Sequence, residues 1–348
     1  MRVSDTRLIR LRDSCQLEAW VTLESTQSDP FLLWYRFPLN YITAISVGLN
    51  DAFVAALLTP AMALGERLRI EGAVSGQLMQ SLPQLQAIYH EWNAGLSIIS
   101  VDSSGLDLSA AHEGRARRVS LFFSLGVDSF YSLLKNNRDH PGDEKTIDDL
   151  LFVRGLDIAI GDPKVDDLFD RSVLNARRVA DQFRKTLLVA STNLRHFTNR
   201  FVNWGKTCHG AALASIALAL GDGFAEVNIA STYDWEHLVP WGSHPQLDPL
   251  WSNGKVLLSH DGCEATRLDK TRLVSEHPIA LETLRVCWEN PDSLYNCGKC
   301  KKCLVTMDQL QRCGALERCG TFPQIPRIKA VFASLGGVLT QWDLISAG

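Results

Sequence analysis

Apolar and polar residues alternate along the first part of the chain. Leu17, Ala19, Val21 and Leu23 are separated by polar or aromatic residues, and a period of two is typical of a strand with one buried face. An apolar run at residues 32–37 indicates another strand. The beginning of the chain is therefore predicted to be rich in strands.

Two helices are predicted after these strands. Asn50 and Asp51 can cap the first helix, and Pro60 is expected to end or kink it. An apolar stripe with steps of three and four within residues 78–92 indicates the second helix, and Pro83 is a candidate for its first turn. We interpret this stripe as core packing, since no polar residue interrupts it.

A polar segment with several serine and glycine residues, 102–118, is predicted to link this region to one with a different pattern. Beyond the linker, short apolar runs alternate with longer amphipathic stretches, which predicts βαβ units and a mostly parallel sheet. We predict a smaller N-terminal α+β domain at 1–110 and an α/β domain with a doubly wound parallel sheet at 111–348. The predicted strands of the second domain lie at 119–123, 150–153, 186–190 and 227–230, and its helices include 165–183 and 208–220.

Composition narrows the class of protein. The chain has 348 residues, of which 46% are hydrophobic and 21% charged, and its formal net charge is -4. This balance does not favour a broad surface for duplex nucleic acid. The sequence contains neither a run of 18 apolar residues nor an apolar signal-peptide core at its start. We therefore predict a cytoplasmic protein without a membrane partner.

A short loop at residues 124–129, Ser-Leu-Gly-Val-Asp-Ser, lies between a predicted strand and a predicted helix. The start of a helix has unpaired N–H groups and about half a positive charge, so this loop is a candidate phosphate-binding site. An ordinary structural turn is the alternative, in which Asp128 would only cap the helix. The GxxxxGK pattern of Walker-type NTPases is absent from the sequence.

Polar loops also follow the other predicted strands of the second domain. Ligands of such sheets bind beyond the carboxyl ends of the strands, so we expect a minority of these loop residues to contact substrate or metal. Lys270 is the strongest single candidate, because its charge would balance a phosphate. The candidates are Arg154, Asp157, Arg195, His196, Asp234, Glu236, His237, His244 and Lys270.

The nine cysteines are concentrated near the end of the sequence, which favours metal binding over a disulfide framework. Cys297, Cys300 and Cys303 are spaced so that three thiolates can surround one Zn²⁺, and Cys287 is the predicted fourth ligand. With all four positions filled by thiolates, the site is predicted to be structural. Cys313 and Cys319 are the alternatives for the fourth ligand, whereas Cys15, Cys208 and Cys263 are predicted to be buried small side chains.

The loop resembles the SerGlyGlyXAspSer signature of the PP-loop, or N-type ATP pyrophosphatase, superfamily. By motif position the resemblance implies that Ser124, Leu125, Gly126, Val127, Asp128 and Ser129 bind ATP, with Asp128 and Ser129 as catalytic residues. Lys270 is the third catalytic candidate, because Arg-Leu-Asp-Lys at 267–270 resembles the helix start that precedes the cysteine segment in the family. Leu125 departs from the signature, which has glycine there. A left-handed backbone at Leu125 would cost roughly 1–2 kcal/mol.

Together, the loop and the cysteine group resemble the 7-cyano-7-deazaguanine synthase-like (QueC-like) branch of that superfamily over residues 118–310. The resemblance implies an adenine-nucleotide alpha hydrolase-like fold and the cofactors ATP, Mg²⁺ and Zn²⁺. It also implies that Val153, Arg154 and Gly155, at the end of the second strand, contact adenine. Members adenylate a carboxylate or carbonyl oxygen, release pyrophosphate, and let an amine or ammonia displace AMP.

The sequence is compatible with several activities and partners. The substrate is either a small molecule of the deazaguanine type or a protein or peptide end, and the N-terminal domain is a candidate site for a partner protein. A homodimer is also open. An RNA-thiolating PP-loop enzyme is the second enzymatic hypothesis, although the acidic balance speaks against nucleic acid. A catalytically inactive nucleotide- and zinc-binding interaction module is the third.

Overall fold

The computed structural model describes residues 1–25, 28–109 and 118–323. These residues form an α/β structure with a ten-stranded sheet. The strands are β1 (Arg2–Arg10), β2 (Ser14–Thr22), β3 (Phe31–Pro38), β4 (Leu68–Ser75), β5 (Val101–Asp107), β6 (Arg118–Phe122), β7 (Ile147–Arg154), β8 (Thr186–Thr192), β9 (Phe224–Ala230) and β10 (Leu257–Asp261). The helices are α1 (Asp51–Leu64), α2 (Gly76–Trp92), α3 (Val127–Asp139), α4 (Asp166–Phe183), α5 (Leu194–Thr198), α6 (His209–Ala219), α7 (Arg267–Ser275), α8 (Pro278–Thr283) and α9 (Lys301–Arg312).

The chain divides into two compact units, each built from several segments. The first unit comprises the described residues of Met1–Phe122, Leu188–Ile229 and Leu238–Asp261. The second unit comprises Phe123–Leu187, Ala230–His237 and the described chain from Gly262 onward. The domain boundary predicted between residues 110 and 111 lies outside the described residues.

The first unit contains a mixed set of neighbouring strands in the order β8-β3-β2-β1-β4-β5. The pairs β1/β2, β2/β3 and β3/β8 are antiparallel, whereas β1/β4 and β4/β5 are parallel. Strand β6 pairs in parallel with β9 in the same unit. Residues 102–107 of the segment that was predicted as a linker belong to strand β5. The backbone of β5 pairs with β4, although four of its seven residues are Asp or Ser.

The predicted strand β2 is confirmed, but it is buried on both faces, because Gln16 and Glu18 are buried as well. Leu17, Ala19 and Val21 are all buried, and register places Leu17 opposite Tyr35 and Ala19 opposite Leu33 of β3. These cross-strand pairs bury one face of the antiparallel ribbon and stabilise it.

Pro60 does not end its helix, and Pro83 does not begin its helix. Pro60 falls within α1, which continues to Leu64 and ends with Gly65 in the left-handed conformation. Every residue of α1 from Asp51 to Met62 is buried, so packing outweighs the hydrogen bond that a proline removes. Helix α2 begins at Gly76, before Pro83, because Ser75 Oγ accepts the N–H of Leu78.

The second unit contains the predicted loop, strand β7, helices α3 and α4, and the cysteine region. The N–H of Phe123 donates to the carbonyl of Leu151 in β7, and α4 follows within a residue of the predicted bounds. Leu168, Ala176 and Val179 form the buried face of α4, as its apolar spacing predicts. Among the described residues, no helix is both long and apolar enough to cross a membrane.

Candidate functional site

The loop at 124–129 contains a left-handed residue that carries a side chain. Leu125 has φ +65°, in the left-handed region, which costs a residue with a side chain roughly 1–2 kcal/mol. Its side chain is fully buried, and this burial offsets the strain. Gly126 follows with an extended backbone and begins α3 at Val127. The loop therefore has a left-handed residue just before the extended residue that precedes α3.

Hydroxyl groups and helix N–H groups surround this turn. The N–H of Gly126 donates to Ser124 Oγ at 3.3 Å, and Ser129 Oγ donates to the carbonyl of Gly126 at 3.1 Å. Gly126, the N-cap residue of α3, has no side chain and so makes no side-chain capping hydrogen bond. The first N–H groups of a helix have no acceptor within the helix, so the start of α3 remains an electropositive site suited to an anion.

Asp128 in the first turn of α3 lies next to two buried cations. Its Oδ2 accepts a hydrogen bond from Arg267 Nη1 at 2.5 Å, and its Oδ1 lies 3.8 Å from Lys270 Nζ. The side chains of Arg267 and Lys270 are only 4% and 1% exposed. Within the described part of the chain, the buried Asp128 Oδ1 has no hydrogen-bond partner. Asp128 therefore acts as a counter-charge, not as a simple helix cap.

Lys270 is held in place by backbone and aromatic contacts. Its Nζ donates to the carbonyl of Ser231 at 2.7 Å and lies 5.7 Å from the centre of the Tyr131 ring. Burial lowers the pKa of Lys270, Asp128 raises it and Arg267 lowers it, and the net shift is downward. Asp128 stabilises the charged form of Lys270, whereas burial opposes it. A second anion near Lys270 would therefore raise its pKa.

The segment after β9 reaches the same surroundings. Tyr233 is buried, and burial together with the charge of Asp128 raises the pKa of its phenol to about 12. Asp234 Oδ1 lies 2.6 Å from Nδ1 of His237, and the N–H of Trp235 donates to the carbonyl of Cys263. The structure thus brings the predicted residues Asp234 and His237 together as a hydrogen-bonded pair.

The predicted adenine-contacting residues lie at the end of β7. Val153 and Arg154 are half-buried, and Gly155 follows with φ +96°. The Arg154 guanidinium forms an ion pair with Asp166 and stacks 4.6 Å from the centre of the Phe169 ring. Arg154 therefore contacts α4 through both an acidic and an aromatic side chain.

The four cysteines predicted as metal ligands lie together. Cys287, Cys297, Cys300 and Cys303 are buried, and their Sγ atoms all lie within 4.8 Å of one another. Four thiols at this spacing are a donor set that suits a metal such as zinc. The alternative ligand Cys319 instead donates to the carbonyl of Leu281.

The remaining cysteines and loop candidates are distributed over both units. Cys15, Cys208 and Cys263 are buried, as predicted. Arg195, His196 and His244 belong to the first unit, whereas Asp157 and Glu236 belong to the second.

Sequence reasoning missed two cations of the second unit. Arg267 stands three residues before Lys270, a spacing that places both on one face of a helix, and this signal was available in the sequence. Arg285 is 4% exposed and its N–H donates to the carbonyl of Leu125. No periodic pattern marks Arg285, since it lies in an irregular segment between α8 and the cysteines.

Comparisons with protein-family models, with curated protein sequences and with solved structures found no match to this chain. The chemistry of the second unit is therefore inferred from three of its structural features. They are a helix start that suits an anion, a carboxylate held between two cations, and four thiols that can hold a metal ion.

Proposed function

We propose that this chain is a Mg-ATP-dependent adenylating enzyme of the PP-loop type, in the QueC-like branch. It transfers AMP to a carboxylate or carbonyl oxygen, releases pyrophosphate, and then joins the activated group to an amine or ammonia. The observation that carries the proposal is the position of Asp128. It lies in the first turn of α3, beside the left-handed loop and within reach of Arg267 and Lys270.

The charges around Asp128 suit the departure of pyrophosphate. Two buried cations face one carboxylate, so the side chains of this group carry a net positive charge. A leaving pyrophosphate gains negative charge in the transition state, which fixed N–H donors and cations stabilise more than they stabilise bound ATP. Lys270 and the N–H groups at the start of α3 supply these donors.

The oxygen atoms at the loop fit a magnesium ion. Asp128 Oδ1 is buried and lacks a hydrogen-bond partner among the described residues, and Mg²⁺ prefers carboxylate and phosphate oxygens. Asp128 would hold the ion with phosphate oxygens of ATP, and the ion would supply charge to the phosphates. Arg267 fixes the orientation of the Asp128 carboxylate through its hydrogen bond at 2.5 Å.

The proposed reaction has two steps that share one acyl or carbonyl carbon. An oxygen of the substrate attacks the α-phosphorus, the bond to the bridging oxygen breaks, and pyrophosphate leaves. The amine nitrogen then attacks the activated carbon, loses a proton, and AMP leaves with the carbon–oxygen electron pair. The four buried cysteines would hold a structural zinc ion, because four thiolates complete its coordination and leave no position for substrate.

The test measures the products of ATP. Full-length protein is incubated with Mg²⁺, ATP labelled at the α-phosphate, and either 7-carboxy-7-deazaguanine with ammonia or a peptide with a free carboxyl end. We expect labelled AMP and pyrophosphate with one acceptor, and their loss in Asp128→Asn. Asp139→Asn, an exposed aspartate of the same helix, is the matched control and should retain activity.

The alternative outcomes are separable. Formation of ADP and orthophosphate would contradict the proposal. Binding of Mg²⁺ and α,β-methylene-ATP without pyrophosphate release from ATP would support the inactive interaction module. Copurifying tRNA that becomes adenylated would support the RNA-thiolating alternative.

A further inference from the structure

The segment that leads into the cysteine group also holds the loop at 124–129. The backbone N–H of Arg285 donates to the carbonyl oxygen of Leu125 at 2.9 Å. A Cβ at Gly126 would lie 3.8 Å from the carbonyl oxygen of Arg285, so the two backbones run close together. Because Leu125 has a strained left-handed backbone, a hydrogen bond to its carbonyl helps to keep the loop in this shape.

The same segment holds the turn after β7. Arg285 Nη2 donates to Asn290 Oδ1 at 2.6 Å, and Asn290 Nδ2 donates to the backbone carbonyl of Asp157 at 2.8 Å. Asn290 itself has φ +48°, a conformation that asparagine and aspartate tolerate better than most residues. One side chain thus connects Arg285 to the turn that begins at Gly155.

The third contact ties this segment to the metal ligands. Asn296 Oδ1 accepts the N–H groups of Val286 at 2.8 Å and Cys287 at 3.2 Å, and its Nδ2 donates to the carbonyl of Leu284 at 2.9 Å. Asn296 directly precedes Cys297 in the sequence. Two of the four cysteines are therefore joined through Asn296 to the residues that flank Arg285.

We infer that residues 284–297, the brace segment, couple the metal site to both loops of the proposed nucleotide site. A metal ion held by four cysteines fixes Cys287 and Cys297, and through them it fixes the Arg285 N–H and the Asn290 amide. Arg285, Asn290 and Asn296 are thus positioning residues. Metal binding and nucleotide binding then stabilise one another, because coupling between two sites is reciprocal. This coupling to nucleotide rests on the proposed function, whereas the coupling to the loops does not.

The first test follows amide hydrogen exchange in the full-length protein, loaded with Zn²⁺ or stripped by a chelator. We expect exchange at 124–129 and at 155–158 to become faster by about tenfold or more without the metal. Helix α6 in the first unit serves as an internal control and should keep its rate. Equal rates at both loops with and without metal would overturn the inference. This readout needs no nucleotide, so it is independent of the proposed function.

A second test keeps all four cysteines. Asn290→Asp retains an acceptor for Arg285 but lacks the N–H that binds the Asp157 carbonyl. Faster exchange confined to 155–158, with Zn²⁺ retained, is expected. Asn136→Asp is a matched control, because Asn136 also accepts one N–H and donates to one carbonyl in the same unit. Unchanged exchange at 155–158 in Asn290→Asp would contradict the second contact.

The third test measures reciprocity. With Mg²⁺ and α,β-methylene-ATP present, the affinity for Zn²⁺ should rise by the same factor by which Zn²⁺ raises the affinity for the nucleotide. If the nucleotide binds and these factors both equal one, the coupling is absent. If the zinc-loaded protein does not bind the nucleotide at all, the proposed function fails, while the exchange result still decides whether the brace segment holds the loops.

Discussion

Arg267 Nη1 lies 2.5 Å from Asp128 Oδ2, although 139 residues separate them in the sequence. Arg267 is almost completely buried, so its charge has lost most of its hydration and depends on this carboxylate. Lys270 depends on the same carboxylate at 3.8 Å. One aspartate therefore stabilises two buried cations, and this arrangement makes the site sensitive to single substitutions.

Asp128→Asn is expected to lower the free energy of unfolding by about 3 kcal/mol, because it leaves two buried cations without a counter-charge. Urea denaturation measures this change. The double variant Asp128→Asn with Lys270→Met should lose less stability than the sum of the single variants, since one stranded charge is gone. Additive losses would show that Lys270 does not depend on Asp128. The exposed control Asp139→Asn should stay within about 0.5 kcal/mol of the parent protein.

Leu125→Gly and Leu125→Ala should differ in an unusual direction. Both lose the buried leucine side chain, which costs about 2–5 kcal/mol for alanine. Glycine adopts φ +65° without the steric cost that alanine keeps, so the glycine variant should be the more stable by about 1 kcal/mol. At Leu133, buried within α3, alanine should be more stable than glycine by about 1 kcal/mol. The same order at both positions would contradict the strain assigned to Leu125.

Cys300→Ser is expected to abolish retention of zinc, since it removes one of four clustered thiols. Cys313→Ser and Cys319→Ser are matched controls outside the cluster and should retain a bound ion. Metal content after gel filtration measures the difference. Loss of zinc in Cys319→Ser would instead assign it as a ligand.

Stability should fall as pH drops below 6.5 in part because of His244. Burial lowers the pKa of His244 from 6.5, His260 lowers it further, and Asp248 opposes the change. Between the lowered folded pKa and 6.5, the unfolded chain binds a proton that the folded chain does not. The contribution of His244 to the free energy of unfolding therefore decreases toward low pH, by at most about 1.4 kcal/mol per pH unit.

His244→Asn should remove the contribution of His244 to the pH dependence of the free energy of unfolding. The contribution of the carboxylates to this pH dependence should remain. Urea denaturation between pH 5 and 8 would show a shallower decrease in the variant than in the parent protein. Identical slopes would contradict the shift assigned to His244. Asn is suitable because the Nδ1 of His244 accepts the N–H of Gln246, and an amide oxygen can accept the same bond.

Periodic features of the sequence predicted the local structure because they report on nearest neighbours along one element. The alternation at Leu17–Leu23 predicted β2, and the apolar spacing at 165–183 predicted α4. Pro60 did not end α1 and Pro83 did not begin α2, since burial of α1 and the Ser75 cap of α2 decided the limits of those helices. Local propensity is a weak term, and packing overrides it.

The sequence alone determined that a Gly-containing loop precedes α3 and that Cys297, Cys300 and Cys303 are spaced to surround one ion, because both depend on short spacings. The structure then placed Cys287, and not Cys313 or Cys319, beside these three. Only the tertiary structure decided that Leu125 is left-handed, that Arg267 pairs with Asp128, and that Arg285 holds the loop beside the cysteine group. The contacts of Arg267 with Asp128 and of Arg285 with Leu125 join residues more than a hundred positions apart. Their partners are chosen by packing and by the need of each buried charge and N–H group for a partner.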